Sequence, residues 1–138
     1  MATDPTAPFG LERYELRRRL GRGGMGEVFE AFDTRLARTV ALKFLPSSLA
    51  DDSSATTRFR REAQAVSTLD HPHLCTVYDI DSAPDGRLFI AMAYVDGESL
   101  KTKLSRGTLP LEEALGLAAQ IADGLGCAHA AGIVHRDV

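Results

Sequence analysis

The stretch Leu20–Asp33, "LGRGGMGEVFEAFD", places four glycines within six positions and then turns apolar. Gly21, Gly23 and Gly26 form a G-x-G-x-x-G pattern. The segment after it, "EVFEAFD" (27–33), carries Val28, Phe29 and Phe32, residue types that favour a strand. A dinucleotide-binding turn needs a helix at that point, and a P-loop needs Gly-Lys-Ser/Thr; neither is present. What remains is a glycine-rich hairpin between two strands. It reads as a bare tight turn, or as a lid whose backbone N–H groups approach a polyphosphate with Val28 over an apolar ring.

Outward from the loop, strand patterns continue on both sides. "YELRRRLG" (14–21) alternates Tyr14, Leu16 and, past a basic run, Leu20. "TVALKFL" (39–45) puts Val40, Leu42 and Phe44 on one face and Ala41, Lys43 and Leu45 on the other, until Pro46 ends it. Residues 55–69 have helix spacing at Phe59, Ala63, Val66 and Leu69, with Ser53, Ser54 and Thr56 as candidate caps and Pro72 beyond. Two further strands are expected at 74–80 and 87–95, joined by the turn sequence "SAPDG". The order predicts an α+β fold: a five-stranded antiparallel sheet with one helix against it.

After "DGES" the pattern becomes helical. A short helix is expected at 99–104, and a long one near 111–131 with Leu111, Leu115, Ala118, Ile121, Leu125 and Ala128 along one face. Pro110 suits its start, Glu112 and Glu113 suit its N-terminal dipole, and Gly132 suits its end. Gly124 and Gly126 each weaken it by about 1 kcal/mol relative to Ala. The strand-rich and helical regions meet near Val95, and a cleft between them is a natural place for a ligand.

Composition narrows the function classes. The 138 residues are 44% hydrophobic and 25% charged with a net charge of −3, a mildly acidic chain of single-domain size. No excess of Lys and Arg points to nucleic acid, and no basic amphipathic run points to a membrane surface. Cys75 and Cys127 form neither a disulfide framework nor a metal-ligand spacing, so a reducing cytoplasm is the expected compartment. Residues 1–13, "MATDPTAPFGLER", lack the features of a secretory signal and read as a disordered lead-in. No apolar run is long enough to span a bilayer.

Three residues bear on the choice between bare turn and lid. Lys43 emerges through the Ala41/Leu45 face of its strand, either as a solvent-facing lysine or as a cation awaiting an anion. Glu62 lies three positions after Phe59 and four before Val66. It is therefore either one acid on an exposed arginine-rich face or an inward partner for Lys43. "HRD" at 135–137 follows the long helix directly and is either a polar tail or a catalytic triplet.

Taken together, "GRGGMGEV", "VALK", the glutamate of "RRE", "HPHL", "FIAMAYVDGESL" and "IVHRDV" resemble the eukaryotic-type protein kinase family, and more closely its bacterial serine/threonine members. The resemblance runs from about Tyr14 to Val138. It implies a kinase N-lobe over 14–94, and a hinge with part of the helical C-lobe over 95–138. It implies that Gly21, Gly23 and Gly26 cover the phosphates of ATP, with Leu20 and Val28 against adenine. Ala41 would line the adenine pocket, Met92 would be the gatekeeper, and Ala93, Tyr94 and Val95 the hinge. Lys43 would contact the α- and β-phosphates, held by Glu62, and Asp137 would be the catalytic aspartate that orients and deprotonates the substrate hydroxyl. Arg136 matches kinases regulated by activation-loop phosphorylation. The implied partners are ATP, Mg²⁺ and a protein bearing serine or threonine.

Ala93 stands where the family usually has an acidic residue, and Val138 where it has leucine. The family continues with Lys-Pro-x-x-Asn and Asp-Phe-Gly, which supply the metal ligands. The expectation is therefore an incomplete reading frame of an ordinary kinase, inactive as 138 residues, with an exposed apolar face on the long helix. The alternative is a non-catalytic nucleotide-binding or regulatory module derived from a kinase N-lobe.

Overall fold

Alternating apolar residues drive the first half of the chain into strands, and a computed structural model describes residues 11–23 and 26–135 of the chain. Five strands form one antiparallel sheet: β1 (Tyr14–Gly23), β2 (Gly26–Asp33), β3 (Arg38–Phe44), β4 (Val77–Ser82) and β5 (Leu88–Ala93). Their spatial order is β1-β2-β3-β5-β4. The chain leaves β3 through a short 3₁₀ turn (Ser47–Leu49) and helix α1 (Ser53–Ser67) to reach the edge strand β4. It then returns as β5 between β4 and β3. Two helices follow, α2 (Leu100–Leu104) and α3 (Leu111–Ala130).

The chain divides into two compact units. One holds the sheet and α1; the other holds Leu69–Cys75 together with the residues from Val95 onward. In the first unit, Phe29, Leu42 and Ala91 pair across three adjacent strands and all face the core. Phe44 sits at the centre of that core. Its ring is edge-on to Phe29 at 5.8 Å and tilted against Phe89 at 5.3 Å, while Tyr14 meets Phe89 edge-on at 5.7 Å. Such pairs add about 0.5–1.5 kcal/mol each beyond area burial.

Charge chemistry closes one end of this sheet. Asp33 is fully buried, and its carboxylate accepts two hydrogen bonds from Arg13, at 3.1 and 2.8 Å. It also accepts from the backbone N–H groups of Arg35 and Leu36, shaping the β2–β3 turn that ends at Ala37 with φ 50°. Arg13 reaches on to Asp79 of β4 at 2.9 Å. The Arg13 hydrogen bonds hold the Asp33 carboxyl below the usual carboxylate range. Leu11 packs against the core as well. Leu11 and Arg13, placed in a disordered lead-in by the sequence reading, are thus held by the fold.

Helix α1 begins at Ser53, with Asp52 as its cap: the carboxylate accepts from the N–H groups of Ser54 and Ala55. The expected caps Ser53, Ser54 and Thr56 lie inside the helix instead. An aspartate accepts both N–H bonds with full negative charge at the positive end of the dipole, which favours it over the hydroxyls. Strand β4 begins at Val77, three residues later than the spacing suggested, because Leu69–Cys75 belongs to the second unit.

Within that second unit, α3 packs on the Leu69–Cys75 segment. Gly124 is buried, and a Cβ there would stand 2.9 Å from the His73 carbonyl oxygen. His71 lies 3.2 Å from Asp123. Ser99 caps α2, and Lys103 pairs with Glu113 at the start of α3. The apolar stripe of α3 is largely uncovered: Leu111 is 73% exposed and Leu115 61%. Among the described residues no helix is long and apolar enough to cross a membrane.

Candidate nucleotide site

Pairing register assembles the candidate site. Side chains that face each other across paired strands share a sheet face, so Val28, Lys43 and Ile90 stand in one row across β2, β3 and β5. The next row on that face carries Glu30, Ala41 and Met92. This face is opposite the one that carries Phe29, Leu42 and Ala91 into the core. Its apolar members, Val28, Ala41, Ile90 and Met92, share that face with Lys43 and Glu30.

Lys43 forms no ion pair with any described carboxylate. Glu30, on the same face, is already engaged by Arg17 at 3.7 Å and Arg18 at 2.6 Å. Glu62 is exposed on α1, and the structure contains no Lys43–Glu62 pair. The helix buries Ala55 and Ala63, and Glu62, at the border of that stripe, stays exposed. A cation with no partner among the described residues, on a largely apolar sheet face, favours an anionic group carried by a flat apolar body. A nucleoside polyphosphate has that chemistry.

The three glycines of the loop differ in their physical roles. Gly26 has φ 106°, and a Cβ on it would overlap the Phe44 carbonyl oxygen, so the backbone geometry itself demands glycine. Gly21 is exposed, with nothing within 4 Å of where its Cβ would sit. The β1–β2 register closes at Gly23 opposite Gly26. Leu20 is exposed at the loop's base, and register shifts in β1 after Leu16 and again after Arg19 mark where the strand departs from regular pairing.

Tyr94 is half-buried, and its hydroxyl accepts a hydrogen bond from Arg18 at 2.9 Å. Arg18 thereby links β1, Glu30 of β2 and the residue following β5. Val95 is 75% exposed in the second unit. Asp137 and Arg136 lie outside the described residues. Ile90 joins the site without having been singled out in the sequence. Its position two residues before Met92 on one strand was the available signal.

The fold is that of a protein kinase N-lobe. The protein kinase domain model matches residues 14–138, and the chain belongs to that family. Among solved structures, a cysteine-to-alanine mutant of the Mycobacterium tuberculosis PknI kinase domain superposes with a TM-score of 0.84 at 34% identity, covering 100% of this chain and 56% of that one. Bacterial kinases are among its curated relatives. A probable serine/threonine-protein kinase of Streptomyces coelicolor is 48% identical over 132 residues, covering 91% of this chain and 19% of the relative. The serine/threonine-protein kinase PknA of M. tuberculosis is 44% identical over 131 residues, covering 91% and 30% respectively. The chain therefore spans less than a third of the length of these curated relatives.

Proposed function

We propose that the Lys43 face of the sheet binds ATP, and that the kinase containing this chain transfers the γ-phosphoryl group to serine or threonine hydroxyls of proteins. The observation that carries this reading is the row Val28–Lys43–Ile90 beside Ala41 and Met92: an ammonium that pairs with no described carboxylate, on a face of mostly apolar side chains. Residues 14–94 act as the N-lobe, and 95–138 as the hinge and part of the helical lobe. Adenine lies between Leu20, Val28 and Ala41, beside Met92, and hydrogen-bonds the backbone at Tyr94 and Val95. Gly21, Gly23 and Gly26 cover the phosphates. Lys43 neutralises charge on the α- and β-phosphates, and Glu62 holds it there once α1 presents that side chain inward. Asp137 orients the substrate hydroxyl and accepts its proton.

Phosphoryl transfer also requires Mg²⁺ on the phosphates. Among the described residues no group of three or more His, Cys, Asp or Glu is placed to hold a metal ion, so none of them is assigned as its ligand. The proposed compartment is the cytoplasm, where ATP is available.

The test is transfer of labelled phosphate to a generic protein substrate by the whole kinase. Lys43→Met and Asp137→Asn should each reduce it to background, with product confined to phosphoserine and phosphothreonine. Near-normal turnover in either variant would contradict the assignment.

A further inference from the structure

The edge strand β1 carries one extra residue, and its consequence falls on the Lys43 face. Leu16 pairs with Ala31 and Arg19 with Phe29, so three steps along β1 match two along β2. Arg17 and Arg18 therefore share Glu30 as their single opposite residue, the two-against-one arrangement of a β-bulge. Regular alternation would send only one of two consecutive side chains to this face. Both reach the Glu30 carboxylate instead, Arg17 Nη1 at 3.7 Å and Arg18 Nε at 2.6 Å.

Arg18 does more than neutralise Glu30. With Nε held by the half-buried carboxylate, the planar guanidinium has a fixed direction, and its Nη2 donates to the Tyr94 hydroxyl at 2.9 Å. Tyr94 directly follows β5, and β2 and β3 lie between that strand and β1. One side chain thus ties the sheet edge to the Glu30–Ala41–Met92 row and to the point where the chain leaves β5. Tyr94 comes two residues after Met92, which by alternation puts it on the same face. The residue before it is fixed from the other side, since the Ala93 N–H donates to the Thr76 carbonyl at 2.9 Å. Tyr94 is therefore held between a backbone bond on its β4 side and the Arg18 guanidinium on its β1 side.

We propose that Arg18 is a positioning residue for the nucleotide base, acting through the Tyr94 hydroxyl on the strand end that borders Ala41 and Met92. The inference rests on the reading of the Lys43 face as the nucleotide site. Lys43 acts on the phosphates, whereas the Arg18–Tyr94 link lies in line with the Ala41–Met92 row, where the base is placed. Loss of the link therefore falls on the base-dependent part of the affinity and spares the phosphate-dependent part. Arg18 is exposed, so the link adds little to stability. Arginine keeps its charge throughout the accessible pH range, so the link needs no particular protonation state.

The experiment is titration of the chain with a fluorescent ATP analogue, competed by ATP and by inorganic tripolyphosphate, which carries the anionic groups without the base. Arg18→Met and Tyr94→Phe should each weaken ATP about threefold, the size expected of one exposed charge-assisted hydrogen bond. The double variant should lose the same amount again as either single, because both substitutions remove one link. Arg18→Lys, a point charge that cannot hold Glu30 and Tyr94 together, should match Arg18→Met. Arg17→Met, which reaches Glu30 but not Tyr94, should stay within about 1.5-fold of the parent. Competition by tripolyphosphate and the melting temperature should be unchanged in all of them. A double variant near the product of the single losses, about ninefold, overturns the link, as does parental ATP affinity in Tyr94→Phe. Full affinity in Arg18→Lys, or an equal loss for tripolyphosphate, would reveal a plain charge effect and overturn the positioning role. A parallel fall in melting temperature overturns it too, in favour of a structural role. No saturable binding by the parent overturns the nucleotide reading and this inference together. Binding that Lys43→Ala weakens and Arg18→Met leaves intact overturns this inference alone.

Discussion

Gly26 lies directly against the Phe44 carbonyl oxygen, so closely that a Cβ on Gly26 would overlap it. The glycine is imposed by the β2–β3 contact and by φ 106°, whether or not a phosphate ever sits above the loop. Gly21 has no such neighbour.

That difference separates fold from function in one experiment. Gly26→Ala should destabilise the chain by more than about 1 kcal/mol, seen as a lower denaturation midpoint. Gly21→Ala should stay within about 0.5 kcal/mol of the parent while weakening nucleotide binding. Equal stability of the two variants would contradict the packing argument.

A similar contrast holds along α3. Gly126 faces open space, so Gly126→Ala should gain up to about 1 kcal/mol from helix propensity. Gly124→Ala should destabilise in spite of the same propensity, because the His73 carbonyl is backbone and cannot swing aside. Thermal melts of the two variants should move in opposite directions.

Asp33 sets an acid limit on stability. Hydrogen bonds from Arg13 depress its folded pKa below the unfolded value of about 3.9. Its stabilising contribution is therefore complete above the unfolded pKa and is lost as pH falls through the folded one. Asp33→Asn should cost about 1–3 kcal/mol at neutral pH and flatten the loss of stability below about pH 4. An unchanged acid limb in urea denaturation across pH 2–6 would refute this.

Much of this architecture was legible in the sequence because local pattern and tertiary role agree. Val40, Leu42 and Phe44 alternate into the core, and Pro84-Asp85-Gly86 makes the β4–β5 turn with Gly86 at φ 85°. What escaped depends on partners distant along the chain. Arg13 meets Asp33 and Asp79 across 20 and 66 positions, and no local periodicity encodes that. The late start of β4 has the same origin, since Leu69–Cys75 is recruited by α3. Glu62 shows a different limit. Flanked by Phe59, Ala63 and Val66, it sits near the boundary of the apolar stripe, where spacing alone cannot choose a side, and the structure leaves it exposed. The Lys43 row was legible in part: alternation put Ala41 and Lys43 on one face, while pairing with Ile90 required the strand order.

The most direct test of the central claim is nucleotide affinity of the chain, measured by titration with a fluorescent ATP analogue for the parent and for Lys43→Ala. Lys43 is half-buried and pairs with no described residue, so its removal should leave the melting temperature essentially unchanged. The account predicts saturable binding to the parent, displaced by ATP, and at least about tenfold weaker binding to the variant. Equal affinity of the two proteins, or no saturable binding by the parent, would contradict it.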